Sequence, residues 1–294
     1  MILTYQIVQS EPVKTFLKNQ DYSKRTLSAI KLNGALLLNG SPVTVRHVMN
    51  KGDRLEVHFP CETPSENLIP YDKELEVIYE DAYLIIVNKP QMQNCAPSRE
   101  HPHGSLVEQV LAYYTKKGEK INPHIVTRLD RNTSGLVVFA KFGHVHHLFS
   151  KVKFKKEYVA LAYGHTQSSG VIEEPIARRS DSIIKREVND KGKYAKTVYQ
   201  RLMQNETASL CKVKLLTGRT HQIRVHFEYI GHPLIGDDLY GGNHPCVHGQ
   251  ALHCCSVEFI HPIYRSHYLI NVDYKQLIKL FNMVSVSYTH LTLP

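Results

Sequence analysis

The strongest constraint on this chain is one stretch, HIVTRLDRNTSGLVVFAKF, at residues 124–142. Asp130 stands there between two bases, Arg128 and Arg131. Asn132, Thr133, Ser134 and Gly135 follow as a cluster of turn-forming residues. Leu136 to Ala140 then runs apolar and β-branched, the pattern of a buried strand. A short polar loop delivered onto a buried strand is a rigid platform for a side chain that does chemistry. Taken alone it reads more readily as a salt-bridged turn in front of a core strand, because structural ion pairs are common.

Upstream, residues 1–60 form a small unit of their own. Val13, Phe16 and Leu17 have the spacing of a short helix, and Ser23 is placed to cap a second one carrying Leu27 and Ile30. Lys24, Arg25 and Lys31 decorate that second helix. Apolar runs on both sides of Asn39-Gly40 predict a hairpin. Lys51-Gly52-Asp53 is a further turn, after which Leu55, Val57 and Phe59 alternate as a strand. Residues 61–70 are polar, proline-bearing and without hydrophobic period, and so form a linker to a larger domain over 71–284.

In that domain, Leu75 to Tyr79 and Tyr83 to Val87 predict strands, the second ended by Asn88-Lys89-Pro90. Ser105 is placed to cap a helix that buries Leu106, Val107, Val110, Leu111 and Tyr114. A short helix from Gly143 to Ser150 carries His144, His146 and His147. These are ordinary exposed histidines by pattern, since no Asp, Glu or Cys stands at ligand spacing, and no metal is expected. Lys155 to Gly164 alternates as a strand, and Val198 to Met203 pairs with Leu210 to Leu216. On a strand, Gln222 and Arg224 would share one face and Ile223 and Val225 the other. Val286 to Pro294 has no period that fits a closing helix. It has the character of a peptide foreign to the protein, as sequencing-adapter read-through encodes, or of a disordered terminus, so 285–294 are left out of the fold.

Many strands joined by turns, with few helices, predict an α+β fold with a largely antiparallel sheet. At 294 residues the chain can build one large and one small domain. No apolar run approaches a bilayer span, and the first ten residues lack a secretory leader, so a cytoplasmic protein without a membrane partner is expected. Six cysteines without a C-x-x-C pair fit free thiols in a reducing compartment. The net charge of +9 points to a polyanionic partner and permits RNA and DNA alike.

The string from Arg128 to Leu136, RLDRNTSGL, resembles the catalytic motif of the RsuA/RluA-type RNA pseudouridine synthases, RluA-like branch. Thr127 departs from it, standing where many members have a histidine that is not the nucleophile. Asn88-Lys89-Pro90 resembles the signature that opens the family's catalytic domain. Lys156, Tyr158, Ala160 and Gly164 match the motif whose tyrosine lies against the target uracil. Gly192 to Thr197 matches a basic turn suited to RNA backbone contact. Thr217 to His226, TGRTHQIRVH, matches throughout a motif whose last arginine pairs with the catalytic aspartate. Gly231 to Asp237, Leu252-His253 and His261-Pro262 continue the likeness and are taken as architectural. Residues 1–60 resemble a small α/β RNA-binding domain first seen in a ribosomal small-subunit protein.

The resemblance implies a pseudouridine synthase fold, a curved and mostly antiparallel mixed sheet crossed by an RNA cleft. It implies isomerisation of specific uridines in structured RNA, ribosomal RNA being favoured and transfer RNA open. The bond from ribose to base nitrogen breaks, the base turns while held, and a carbon–carbon bond replaces it. No electrons enter or leave, so no cofactor is expected. Asp130 takes the role of catalytic carboxylate, Tyr158 stacks on the base, and Arg224 keeps Asp130 charged and oriented. Arg128 fills the gap left by the flipped base. Lys24, Arg25 and Lys31 contact phosphates, and Lys89, Arg219, His221 and Gln222 complete the expected RNA contacts. A monomer is expected. Two other readings stand beside this one: a non-catalytic RNA-binding protein, and a nucleoside or glycoside hydrolase using Asp130 with Glu157. A zinc deaminase would need a P-C-x-x-C element, which the chain lacks.

Overall fold

The computed structural model describes residues 1–287. In the N-terminal unit, helix α1 (Val13–Asn19) buries Val13 and Leu17. Helix α2 (Lys24–Asn33) starts at Ser23, whose Oγ accepts the Thr26 amide at 3.0 Å. Strands Ala35–Leu38 and Ser41–Pro42 turn at Asn39 and Gly40, with φ of 52° and 86°. Both angles are positive, as the twist of a two-residue hairpin demands. A strand the pattern does not announce, Ile2–Gln6, pairs antiparallel with Arg54–His58 and completes a four-stranded sheet. Leu3, Leu36, Leu38, Leu55 and Val57 pack with Val13, Leu17 and Ile30 in one core.

The second sheet has ten strands. Its main path runs Ser169–Ile172, Thr197–Gln204, Ala208–Leu215, Lys155–Tyr163, Leu252–Ile260, Ser134–Ala140, Leu84–Lys89, Val77–Glu80. Neighbours are antiparallel except at one seam. There Ser134–Ala140 and Leu252–Ile260 run parallel and pair through Ser134 with His253 and Gly135 with Cys254. The fold is α+β with a mostly antiparallel mixed sheet, as expected.

Alternation sorts the side chains to two faces. Leu84, Ile86, Leu136, Val138, Tyr158 and Ala160 face helices α4 (Gly143–Phe149) and α5 (Gln222–Tyr229). On the other face, Ile85, Val87, Val137 and Phe139 pack against α3 (Leu106–Lys116), which opens with the capping box of Ser105 and Glu108. Val159, Leu161 and Leu210 pack against Leu277 and Phe281 of α6 (Lys275–Ser287).

Three expectations need correction. Gln222 to His226 is helical, not extended. Gln222 through Phe227 are all buried, and a helix covered on every side shows no 3.6-residue period to read. His144 is not exposed: its ring lies 4.2 Å from Tyr22 and 5.1 Å from Phe59, tying α4 to the N-terminal unit. Helix α6 continues through Val286 and Ser287, while 288–294 of the suspected foreign tail lie outside the described residues. Residues 61–70 form no strand or helix, yet Glu62 accepts the Gly143 amide at 2.8 Å and bonds His124 at 2.6 Å.

Candidate active site

A cleft of about 710 Å³ opens on the sheet face covered by α5. Residues 126–130 and Thr133 form one wall, residues 215–224 another, and Lys156, Tyr158 and Leu252 rise from the sheet. Asp130, one-third exposed, stands at the mouth of the loop between His124–Ile125 and Ser134–Ala140.

That loop is held from several directions. The Thr133 amide donates to the Asp130 carbonyl at 3.1 Å. Gln250 Nε2 donates to Thr133 Oγ1 at 2.9 Å, and Ser134 Oγ bonds His253 Nδ1 at 2.8 Å. The Leu129 amide and carbonyl both meet the Cys95 thiol at 3.4 Å. Gly135 makes the seam possible. It has φ of 111°, and a Cβ there would lie 2.3 Å from the Cys254 carbonyl oxygen, so only glycine lets the loop approach this strand. Thr127 has its own task, accepting the Val138 amide at 3.1 Å.

Arg224 reaches Asp130 as expected, with Nη1 at 3.5 Å from Oδ2. Its stronger partner is Asp237, which accepts Nε at 2.7 Å and Nη2 at 2.8 Å. Asp237 is fully buried, and Tyr240 lies under the guanidinium at 4.8 Å. Burial opposes the charge on Arg224, but Asp237 and then Asp130 outweigh it and hold the guanidinium pKa above its ordinary value. One arginine is thus clamped from behind and presents its remaining edge to the carboxylate in the cleft.

Tyr158 lies on the cleft floor, 6% exposed. Burial, with the Cys254 thiol beside it, pushes its phenol pKa well up, so it is neutral. His221 turns the chain into α5 with φ of 57°. Its Nδ1 bonds the Tyr240 hydroxyl at 2.9 Å and its Nε2 is 3.9 Å from Asp130. Desolvation lowers its pKa despite Asp130, which favours the neutral ring. Arg128 is exposed on the rim beside Asp130, and Arg219 is exposed on the opposite wall with Nε donating to the Tyr194 carbonyl.

Two expected RNA contacts are turned inward instead. Lys89 is fully buried, and its ammonium donates to the carbonyls of Pro90 and Gln93 at 2.8 Å and of Arg131 at 3.0 Å. It therefore pins the Asp130 loop to its neighbour, and desolvation lowers its pKa to about 8. Gln222 is 2% exposed and spends its amide on Thr217, Lys196, Thr197 and the Arg219 amide. The hydrolase pairing fails on geometry as well. Glu157 points away from Tyr158 on the strand and pairs with Lys212 at 2.7 Å.

The sequence signature described as RNA pseudouridylate synthase matches residues 83–229, half of the chain. The chain belongs to this family. It is 40% identical over 277 residues to the RNA pseudouridine synthase YjbO of Bacillus subtilis, covering 91% of this chain and 98% of that protein. It is 31% identical over 262 residues to ribosomal large subunit pseudouridine synthase D of Escherichia coli, covering 83% and 80%. The solved human RNA pseudouridylate synthase domain containing 1 superposes with a TM-score of 0.58 over 75% of this chain and 98% of that one. At 21% identity, that likeness bears on the fold alone. The protein is an RNA pseudouridine synthase, an isomerase whose partner is RNA.

Reading the sequence for chemistry passed over parts of this synthase that its site depends on. Asp237, taken as architectural, is what orients Arg224. The signal available was a pair of acids, Asp237-Asp238, directly after the apolar Leu234-Ile235 and Gly236. Among the described residues no cluster of three or more His, Cys, Asp and Glu has the arrangement of a metal site. Nor is any helix long and apolar enough to cross a membrane.

Proposed function

We propose that Asp130 is the catalytic carboxylate of this synthase and that its substrate is a uridine in ribosomal RNA. The observation that carries the first part is the Asp237–Arg224–Asp130 line, which brings a clamped guanidinium to within 3.5 Å of a carboxylate in the cleft. The ribosomal substrate is supported by the name of the Escherichia coli relative. The target base leaves the RNA stack at a cost of about a few kcal/mol. Arg128, free on the rim beside Asp130, is placed to fill the gap. Tyr158 offers its ring face to the extruded uracil, and His221 and Arg219 line the opposite wall. Asp130 can attack the sugar, attack the base, or remove a sugar proton. All three roles use a carboxylate oxygen, and Arg224 Nη1 stands 3.5 Å from one of them.

Residues 1–60 serve, on this reading, as an RNA-binding unit. Lys24, Arg25 and Lys31 are exposed on α2 and suited to phosphates. The six unpaired cysteines support a cytoplasmic setting.

The test is pseudouridine mapping of total RNA from cells carrying the wild-type protein or Asp130→Asn, by carbodiimide labelling and primer extension. A ribosomal RNA site lost with Asp130→Asn supports both parts. A lost site confined to transfer RNA replaces the substrate. Turnover by purified Asp130→Asn equal to wild type would sink the role of Asp130.

A further inference from the structure

Lys156 lines the cleft two residues before Tyr158 on the strand Lys155–Tyr163. Alternation puts both side chains on the same face, with their Cα atoms about 7 Å apart. Of the other cations nearby, Arg224 is bound to Asp237, Arg219 donates to the Tyr194 carbonyl, Lys89 is inside the protein, and Arg128 stands exposed at the rim. The Lys156 ammonium has neither ion pair nor hydrogen bond among the described residues. Its cross-strand neighbours are Leu215 and Val257, and the polar groups facing it are the thiols of Cys254 and Cys95. Burial lowers its pKa accordingly. A half-buried ammonium in such a wall is unfavourable until an anion arrives.

Depth decides which anion. Backbone phosphates meet the rim, where Arg128 and Arg219 are exposed, whereas Lys156 stands beside the tyrosine of the floor. We propose that Lys156 is a catalytic residue whose ammonium lies against a carbonyl oxygen of the target uracil and stabilises the negative charge the base acquires. The assignment rests on the cleft being the uracil site. Breaking the bond from C1′ to N1 leaves the electron pair on the base, as an anion spread over N1, O2 and O4. Attack by the carboxylate at C6 instead places the charge on C5 and O4. In either course the ammonium keeps its proton. C5 then bonds C1′, and the proton lost from C5 balances the one gained at N1, with no co-reactant.

The experiment compares full-length wild type, Lys156→Met and Lys156→Arg on total RNA from cells lacking the protein. The readouts are the single-turnover rate at saturating enzyme and RNA affinity at several salt concentrations. Loss of a preorganised donor to a developing anion costs roughly 10²–10³-fold in rate. Lys156→Met is therefore expected to lose rate by that factor, keep its affinity within about threefold and leave the salt slope unchanged. Lys156→Arg should recover at least about tenfold of the loss. A wild-type rate for Lys156→Met, or weaker binding with a slope reduced by about one contact and a normal rate, would overturn the assignment in favour of a spectator or a phosphate ligand. Deleting an unpaired charge should not lower the unfolding temperature. If it does, Lys156→Gln is measured, and a rate loss tracking instability in both variants also overturns the proposal. Wild-type turnover on the same RNA separates failure of this assignment from failure of the substrate reading.

Discussion

The clamp behind Arg224 can be tested by replacing Asp237 with asparagine. Asp237 is fully buried and accepts both Nε and Nη2 of Arg224. Asparagine keeps the shape but offers one acceptor, turning its NH2 group toward a guanidinium N–H. One charge-assisted bond is lost and the arginine is left without its main counter-charge. Breaking a buried pair from one side costs about 3–5 kcal/mol, and the surviving neutral bond places this change near 3 kcal/mol. At about 2–4 °C per kcal/mol in a chain of this size, the melting temperature should fall by about 10 °C. Released from Asp237, the guanidinium is free to close the 3.5 Å gap to Asp130 and shift the carboxylate. Displacement of a reacting group by about 1 Å is worth about 10²-fold in rate. The assay is a double-mutant cycle with Arg224→Met, read by urea unfolding and by single-turnover rate. A coupling of about 3 kcal/mol is expected, and Asp237→Asn should add little to the rate loss once Arg224 is gone. Coupling below about 0.5 kcal/mol, or a wild-type rate for Asp237→Asn, would refute the clamp.

Two further outcomes concern pH. Lys89 has its pKa lowered from 10.5 to about 8, so between those values the folded state holds fewer protons than the unfolded chain and stability rises with pH, by about 3 kcal/mol in all. Urea midpoints for wild type and Lys89→Met from pH 7.5 to 10.5 should diverge in slope over that window, and parallel curves would contradict the buried ammonium. His144, packed between Tyr22 and Phe59, has its pKa lowered from 6.5 to about 4 by burial. Below pH 6.5 the unfolded ring takes up a proton that the folded one refuses, so stability present at neutral pH is lost as pH falls to 4, about 3 kcal/mol in total. Proteolysis within residues 61–70 should accelerate over that range in wild type but not in His144→Phe, and equal rates would contradict it.

Much of this architecture is legible from local chemistry. Asn39-Gly40 and Ser23 announce a turn and a cap because their reasons lie within three residues. The approach of Arg224 to Asp130 follows from matched motifs. What escapes is set by distant partners. Gln222 to His226 alternates like a strand, yet the run is a helix because burial on all sides hides its period, and its polar members bond inward to Thr197, Lys196 and Glu174. Lys89 is a cation beside a strand end in sequence, and only the Arg131 carbonyl, 42 residues on, turns it into an internal staple. Ile2–Gln6 is short, and its pairing with Arg54–His58 depends on a partner about fifty residues away.

The parallel seam also governs when the enzyme comes into being. The carboxylate loop docks through Ser134 and Gly135 on His253 and Cys254, about 120 residues later in the chain. Closing so long a loop carries an entropic cost that is recovered only when the later strand is present. A nascent chain that has emerged as far as Asp237 already holds the carboxylate, the arginine and its clamp, but not the strand that fixes them. The site is therefore completed late and all at once, when Leu252–Ile260 slots between Ser134–Ala140 and Lys155–Tyr163, and truncation before it leaves every side chain of the proposed site present without the strand that holds the loop.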